Sequence, residues 1–218
     1  MLFNSFSVHE IRNSVIRGNT QWQSVGNANH GGGGLQHMYS TQLYLWNCLI
    51  ADNQANGSGS GIYNMKGYAS PDGDSLVLRN CTVAGNSGPS AAVQTRTLTD
   101  HLVMYNSILY GNTARDLFLA GSSTSYLHYS CFPTNPSPGT YVVLGAGNLT
   151  SDPGFVDVAG GNYRLGRNSP CLNAGTNQPD WMAGALDLDG NPRIDNLYRT
   201  VDMGCYETIY RGLMITIR

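Results

Sequence analysis

Few side chains in this 218-residue chain have the type and spacing that support chemistry. Hydrolysis of a glycosidic bond needs two or three carboxylates on neighbouring elements, one as acid and one as base. Elimination on a sugar acid needs a strong base, Lys or Arg, beside carboxylates that hold calcium. The acidic candidates are Asp116 next to Arg115, the pair Asp72 and Asp74, and the string Asp187-Leu-Asp189-Gly-Asn191. Asp116 stands alone on its segment, and Asp72 and Asp74 fall in a distant loop, so no acidic cluster follows. Asp187 and Asp189 are calcium candidates, and calcium is the one cofactor the sequence suggests. Their string has Gly at the fourth position, where a helix–loop–helix calcium loop has it at the sixth. Asp and Asn beside Gly and Pro also close turns without an ion. The five histidines show no metal-ligand spacing.

The elements that must position these groups are repeats. A pattern of Asn, Cys or Ser, any residue, an aliphatic, any residue, Gly or Asp, and Asn occurs at Asn13–Asn19, Asn47–Asn53, Asn80–Asn86 and Asn106–Asn112. A worn fifth copy begins at Ser130-Cys131-Phe132, and the copies start 34, 33, 26 and 24 residues apart. Self-similarity at such a period marks a solenoid. Before each Asn the apolar residues alternate, as in Leu43 and Leu45, Leu76 and Leu78, and Leu102 and Met104. Alternation resumes after it in a shifted phase, as in Cys48 and Ile50, or Cys81 and Val83. Two short strands therefore meet at an Asn, a residue that tolerates the left-handed backbone region. A Gly-rich turn opens a third strand, as at Gly33-Gly34-Leu35-Gln36-His37 and Ser60-Gly61-Ile62-Tyr63-Asn64.

Three short strands per repeat, with no helical period, predict an all-β chain: a right-handed parallel β-helix of about five coils. Handedness follows the rule for parallel connections. Equivalent positions should stack in files ~4.8 Å apart. Leu43, Leu76, Leu102 and Tyr126 are expected in one internal file, and Cys48, Cys81, Ser107 and Cys131 in another, with His128 also pointing inward. Asn47, Asn80 and Asn106 are expected to form an amide ladder at the bend, which would occupy their donors and acceptors. On the Gly-initiated strand the outward file reads Gln36, Tyr63, Gln94 and Phe118. Aromatic and amide groups at that spacing suit a glycan, and the insert 66–74 would wall one side.

Charged residues make up only 12% of the chain, the net charge is −2, and Lys66 is the only lysine. That is too little positive charge to track phosphates, which excludes nucleic acid as a natural partner. No apolar run is long enough to span a membrane. The N-terminus lacks the features of a signal peptide and reads as the middle of a coil, so the expectation is a truncated stack able to self-associate through its open first coil. Cys48, Cys81 and Cys131 read as small buried hydrophobes. Cys171 and Cys205 lie outside the repeats, and whether they pair is open.

From about residue 146 the period fails. New strings appear: Asp152-Pro-Gly-Phe155-Val-Asp157, Ser169-Pro-Cys171-Leu-Asn-Ala-Gly175, Asp187-Leu-Asp189-Gly-Asn-Pro-Arg-Ile194 and Val201-Asp-Met-Gly-Cys-Tyr-Glu207. Residues 146–207 are expected to cap the stack of 1–145, with 208–218 as a tail or linker. The stretch from Asn148 to Glu207 resembles the C-terminal region of bacterial right-handed parallel β-helix proteins with a choice-of-anchor Q domain, which are similar to the polymorphic outer membrane protein repeats. Gly33-Gly34-Leu35 fits that group's Gly-Gly-small-aliphatic signature. The group's second signature, aromatic-x-x-Asn, is not met: Ile50, Val83 and Leu109 stand where Phe is typical. The resemblance implies an extracellular or surface protein with an anchor after this domain, and implies no common activity. Two functions remain open: a non-catalytic stalk or adhesin module, with a polysaccharide or surface glycan as partner, and a carbohydrate-active enzyme of the pectin-lyase-like class.

Overall fold

The computed structural model describes residues 2–4, 8–22, 31–38, 42–65, 76–96, 100–119, 124–133, 141–194 and 200–209. Its strands run β1 (Leu2–Asn4), β2 (His9–Arg12), β3 (Val15–Arg17), β4 (Thr20–Gln21), β5 (Leu35–Met38), β6 (Leu43–Trp46), β7 (Leu49–Ala51), β8 (Gln54–Ala55), β9 (Ile62–Met65) and β10 (Leu76–Arg79). They continue with β11 (Thr82–Ala84), β12 (Ala91–Thr95), β13 (Leu102–Tyr105), β14 (Ile108–Tyr110), β15 (Arg115–Leu119), β16 (Ser125–His128), β17 (Val142–Leu144), β18 (Phe155–Asp157) and β19 (Asn162–Leu165). One short helix, α1 (Pro179–Met182), follows. The chain is all-β with parallel sheets. Among the described residues no helix is long and apolar enough to cross a membrane.

Three large sheets take one strand from each repeat. Their orders are β1-β5-β9-β12-β15, β2-β6-β10-β13-β16-β17 and β3-β7-β11-β14. Leu43, Leu76 and Leu102 align across the second sheet, and Ile50, Val83 and Leu109 across the third. These inward side chains are fully buried in one continuous core with Leu45, Leu78 and Met104. The bend between the second and third sheets is made by Asn13, Asn47, Asn80 and Asn106, with φ of 47°, 54°, 50° and 49°. This left-handed conformation strains most side chains.

The fifth repeat shifts the expected files by one residue. Tyr129 takes the bend position with φ 46°, so Ser130 joins Cys48, Cys81 and Ser107 in their file. Cys131 instead bridges Ile108 and faces outward from the core, toward Cys171. Ser125 likewise stands beside Leu102, to which its Oγ is bonded, while Tyr126 pairs with Val103 and is exposed. His128 points outward and stacks on Tyr105, with centroids 4.9 Å apart. The degenerate copy offers no Asn to mark the bend, so spacing alone placed it one residue off.

The amide ladder lies at the second Asn of the motif. Asn19 donates through N and Nδ2 to Asn53 Oδ1, Asn53 to Asn86 Oδ1, and Asn86 to Asn112 Oδ1, at 2.9–3.1 Å. Asn112 donates both groups to Asp116 Oδ1, which ends the ladder. The first Asn file makes one such bond, Asn47 Nδ2 to Asn13 Oδ1 at 2.8 Å. Asn47 and Asn106 otherwise hold the C-terminal segment, through Leu186 O and through the N and O of Thr176. This corrects the ladder expected of Asn47, Asn80 and Asn106. Their positive φ turns the side chain out of the bend, toward whatever packs there.

The C-terminal segment lies along the side of the third sheet. Leu49, Ala51 and Ala84 face Tyr163 and Cys205, and Ile108 faces Leu165, Cys171 and Met203. Tyr163 donates to Asp52, which also pairs with Arg17 at 2.7 Å. On β17, the last strand of the second sheet, Val143 and Leu144 stay exposed.

Candidate functional site

Gln36, Tyr63, Gln94 and Phe118 align in register on β5, β9, β12 and β15. They do not form an open platform. Tyr63 is completely buried; its hydroxyl receives a hydrogen bond from Arg96 Nη1 at 3.2 Å and meets Met65 Sδ. The backbone at Gly31 lies so close that a Cβ there would sit 2.8 Å from the Tyr63 ring. Gln94 is 8% exposed and accepts from Ser90 Oγ at 2.6 Å. Gln36 is half-buried with Nε2 on Met38 Sδ, and Phe118 is half-buried under Arg115. Both faces of β9 and β12 are covered. Alternation identifies the outward side of a strand but not what covers it. The insert 66–74, expected as a wall, lies outside the described residues.

The calcium expectation at Asp187 and Asp189 is corrected as well. Asp187 is buried, and its two oxygens accept from Asp189 N, Asn191 N, Asn191 Nδ2 and Glu207 N. Asp189 is held bidentately by Arg164 at 2.5 and 2.6 Å. The string closes a turn with its carboxylates already satisfied. Among the described residues no group of three His, Cys, Asp or Glu could hold a metal. Asp116, the acidic candidate of the repeats, serves as the ladder terminus; burial raises its carboxyl pKa, against the Asn112 hydrogen bonds.

The structure assembles a different file. The residue before the bend in each repeat points outward from the second sheet, giving Arg12, Trp46, Arg79, Tyr105 and His128 in register. Arg12 and Arg79 lie over the two neighbouring sides of Trp46, with Cζ 4.1 and 4.3 Å from the ring centroid. Trp181 of α1 meets Trp46 edge-on at 5.4 Å, and Arg79 also lies 5.1 Å from its centroid. Cation–π contacts of this kind contribute roughly 0.5–2 kcal/mol each. They hold the guanidinium planes in fixed orientation. The sequence signal was available: Arg, Trp, Arg, Tyr and His recur immediately before the bend residue.

Two hollows flank the Trp46–Trp181 contact. One, of about 350 Å³, is lined by Arg12, Trp46, Asn47, Asn80, Leu186 and Arg193, among others. The second, of about 360 Å³, is lined by Trp46, Arg79, Tyr105, Gln178, Asp180 and Trp181. Together they make a groove between the second sheet and residues 178–186, with aromatic walls and guanidinium edges. No family of known proteins matches this chain, and neither does any curated protein or solved structure.

Proposed function

We propose that the chain is a right-handed parallel β-helix of about five coils acting as a non-catalytic, secreted or cell-surface module that holds a saccharide in the Trp46–Trp181 groove. The single observation carrying the saccharide reading is that groove. It sets the Trp181 ring beside guanidinium and amide edges, the combination of apolar face and polar rim that suits a sugar, while the Trp46 faces are taken by Arg12 and Arg79. Three parallel sheets with one strand per repeat support the β-helix. The resemblance of residues 148–207 to choice-of-anchor Q proteins supports the surface location.

The test is affinity electrophoresis and reducing-end assay on a panel of neutral and acidic polysaccharides, with and without calcium. Retention of the protein on at least one polysaccharide, lowered about tenfold by Trp181→Ala, is expected. Release of new chain ends would overturn the non-catalytic reading and favour the pectin-lyase-like alternative. Absence of retention across the panel would overturn the saccharide reading.

A further inference from the structure

His9 and His37 stand 28 positions apart in the sequence, and one turn of the repeats brings their rings together. His9 opens β2 in register with Leu43, so it takes an inward place in the first described repeat. His37 lies on β5 in register with Asn64 and, one repeat further, Thr95, a polar file inside a mostly apolar core. His37, Asn64 and Thr95 are completely buried, whereas His9 is half-buried. Solvent therefore reaches the pair from the His9 side.

The hydrogen bonds fix which nitrogen faces which. His37 Nδ1 lies 2.7 Å from Asn64 Oδ1, an oxygen that can only accept, so Nδ1 carries the proton and Nε2 the lone pair. That Nε2 faces His9 Nδ1 at 3.5 Å. The rings cross at 84° with centroids 5.6 Å apart, so they do not stack face to face. Burial holds His37 below the ordinary histidine range, against the Asn64 bond and with help from His9. The neutral ring that this favours is the form that ligates metals.

A nitrogen pair 3.5 Å apart is wide for a hydrogen bond, since N–H donors usually sit ~2.7–3.2 Å from their acceptors. It is close to the spacing of two ligands on one zinc ion. Bonds of about 2.0–2.1 Å at the tetrahedral angle set the two nitrogens roughly 3.4 Å apart. A metal-bound histidine also gives its second N–H to a carbonyl or carboxylate, which fixes its tautomer and orientation. Asn64 Oδ1 supplies that partner for His37.

We propose that His9 Nδ1 and His37 Nε2 bind one divalent ion of the zinc, nickel and copper group, with water in the remaining positions. The ion replaces the proton that His9 Nδ1 shares with His37 Nε2, and His9 then carries its proton on Nε2. Imidazole nitrogens select these ions over magnesium and calcium, which take oxygen ligands. The site lies on the inward face of the second sheet, and the Trp46–Trp181 groove on the outward face, so it does not rest on the saccharide reading.

The experiment is calorimetric titration of the full chain with zinc, nickel and magnesium chlorides, repeated on His9→Gln. His9 is half-buried at the start of its strand, and Gln keeps a polar partner for His37; unchanged metal-free melting is the control for folding. Zinc and nickel should each bind as a single equivalent, and magnesium should not bind. His9→Gln should weaken zinc and nickel by at least about tenfold. If the variant melts differently, nitrogen NMR of the unsubstituted chain decides instead: zinc should move the ring signals of His9 and His37 and leave those of His101 and His128. Absence of zinc binding, zinc binding unchanged in folded His9→Gln, or ring shifts confined to other histidines each overturns the inference.

Discussion

Asn53 donates both its backbone N–H, at 3.0 Å, and its Nδ2, at 2.9 Å, to the single Oδ1 of Asn86. Asn86 in turn gives Nδ2 to Ile50 O at 2.9 Å. Both residues are completely buried. With a further bond from Asn86 Nδ2 to Ala84 O at 3.2 Å, one side chain satisfies backbone groups of two neighbouring repeats where the third sheet ends, and the ladder runs from Asn19 to Asp116.

Asn86→Ala should therefore destabilise the protein by about 2–4 kcal/mol, since it leaves two donors and a carbonyl buried and unpaired. Asn19→Ala, at the exposed end of the ladder, should cost less than about 1 kcal/mol. Urea unfolding of both variants checks this. Equal losses would mean the ladder is not what ties the repeats together.

Burial pushes the Glu207 carboxyl up to about 9, against Arg193 and with the help of Asp202. A raised carboxyl favours the protonated form in the fold. Its contribution is full below the ordinary carboxylate range and is lost as pH rises through about 9. Melting temperature should fall over that window, and Glu207→Gln, which stays neutral and keeps an acceptor for Arg193, should flatten the fall. An identical slope in the variant would remove Glu207 as its cause.

All five cysteines are free and buried. Burial pushes the Cys205 thiol up to about 12 and raises that of Cys81. Thiolate attack requires the ionised form and access; the neighbouring Cys81 lowers the Cys48 thiol, yet Cys48 is as fully buried as the others, so alkylation of all five should proceed no faster than unfolding. Cys171 lies with Cys131 in one apolar cluster, whereas the backbone N–H of Cys205 donates to Thr82 Oγ1. Under a mild oxidant, peptide mapping should find Cys131–Cys171 and Cys48–Cys81 as the linkages formed, at the rate at which the fold opens. A Cys171–Cys205 linkage would contradict this packing.

Among the described residues, β2 and β3 are the last strands of their sheets, and Val8, Val15 and Trp22 around them are exposed. Edges of this kind pair with other chains. Light scattering should show mass rising with concentration. A constant monomer mass up to millimolar concentration would rule out edge pairing.

The repeats made the sheets legible. An Asn at the left-handed bend and period-two alternation on either side are local constraints, so Leu43, Leu76 and Leu102, or Ile50, Val83 and Leu109, could be aligned without coordinates. The same logic failed where the local mark was missing. With Tyr129 in place of Asn, Ser125 and Ser130 took the inward places expected of Tyr126 and Cys131.

The sequence by itself determined the inward faces, the bends and the pairing of strands between repeats, because these depend on residues close in the chain and on a period that repeats. Only the tertiary structure decided which outward faces stay open. Tyr63 and Gln94 are outward yet covered, while Arg12, Trp46 and Arg79 become a groove because residues 178–193 return across more than a hundred positions to face them. Asp187, Asp189 and Arg193 were likewise undecided until Glu207, Arg164 and Asp202 were set beside them. Long-range packing chooses such partners by burial and hydrogen-bond satisfaction, and neither is written in local spacing.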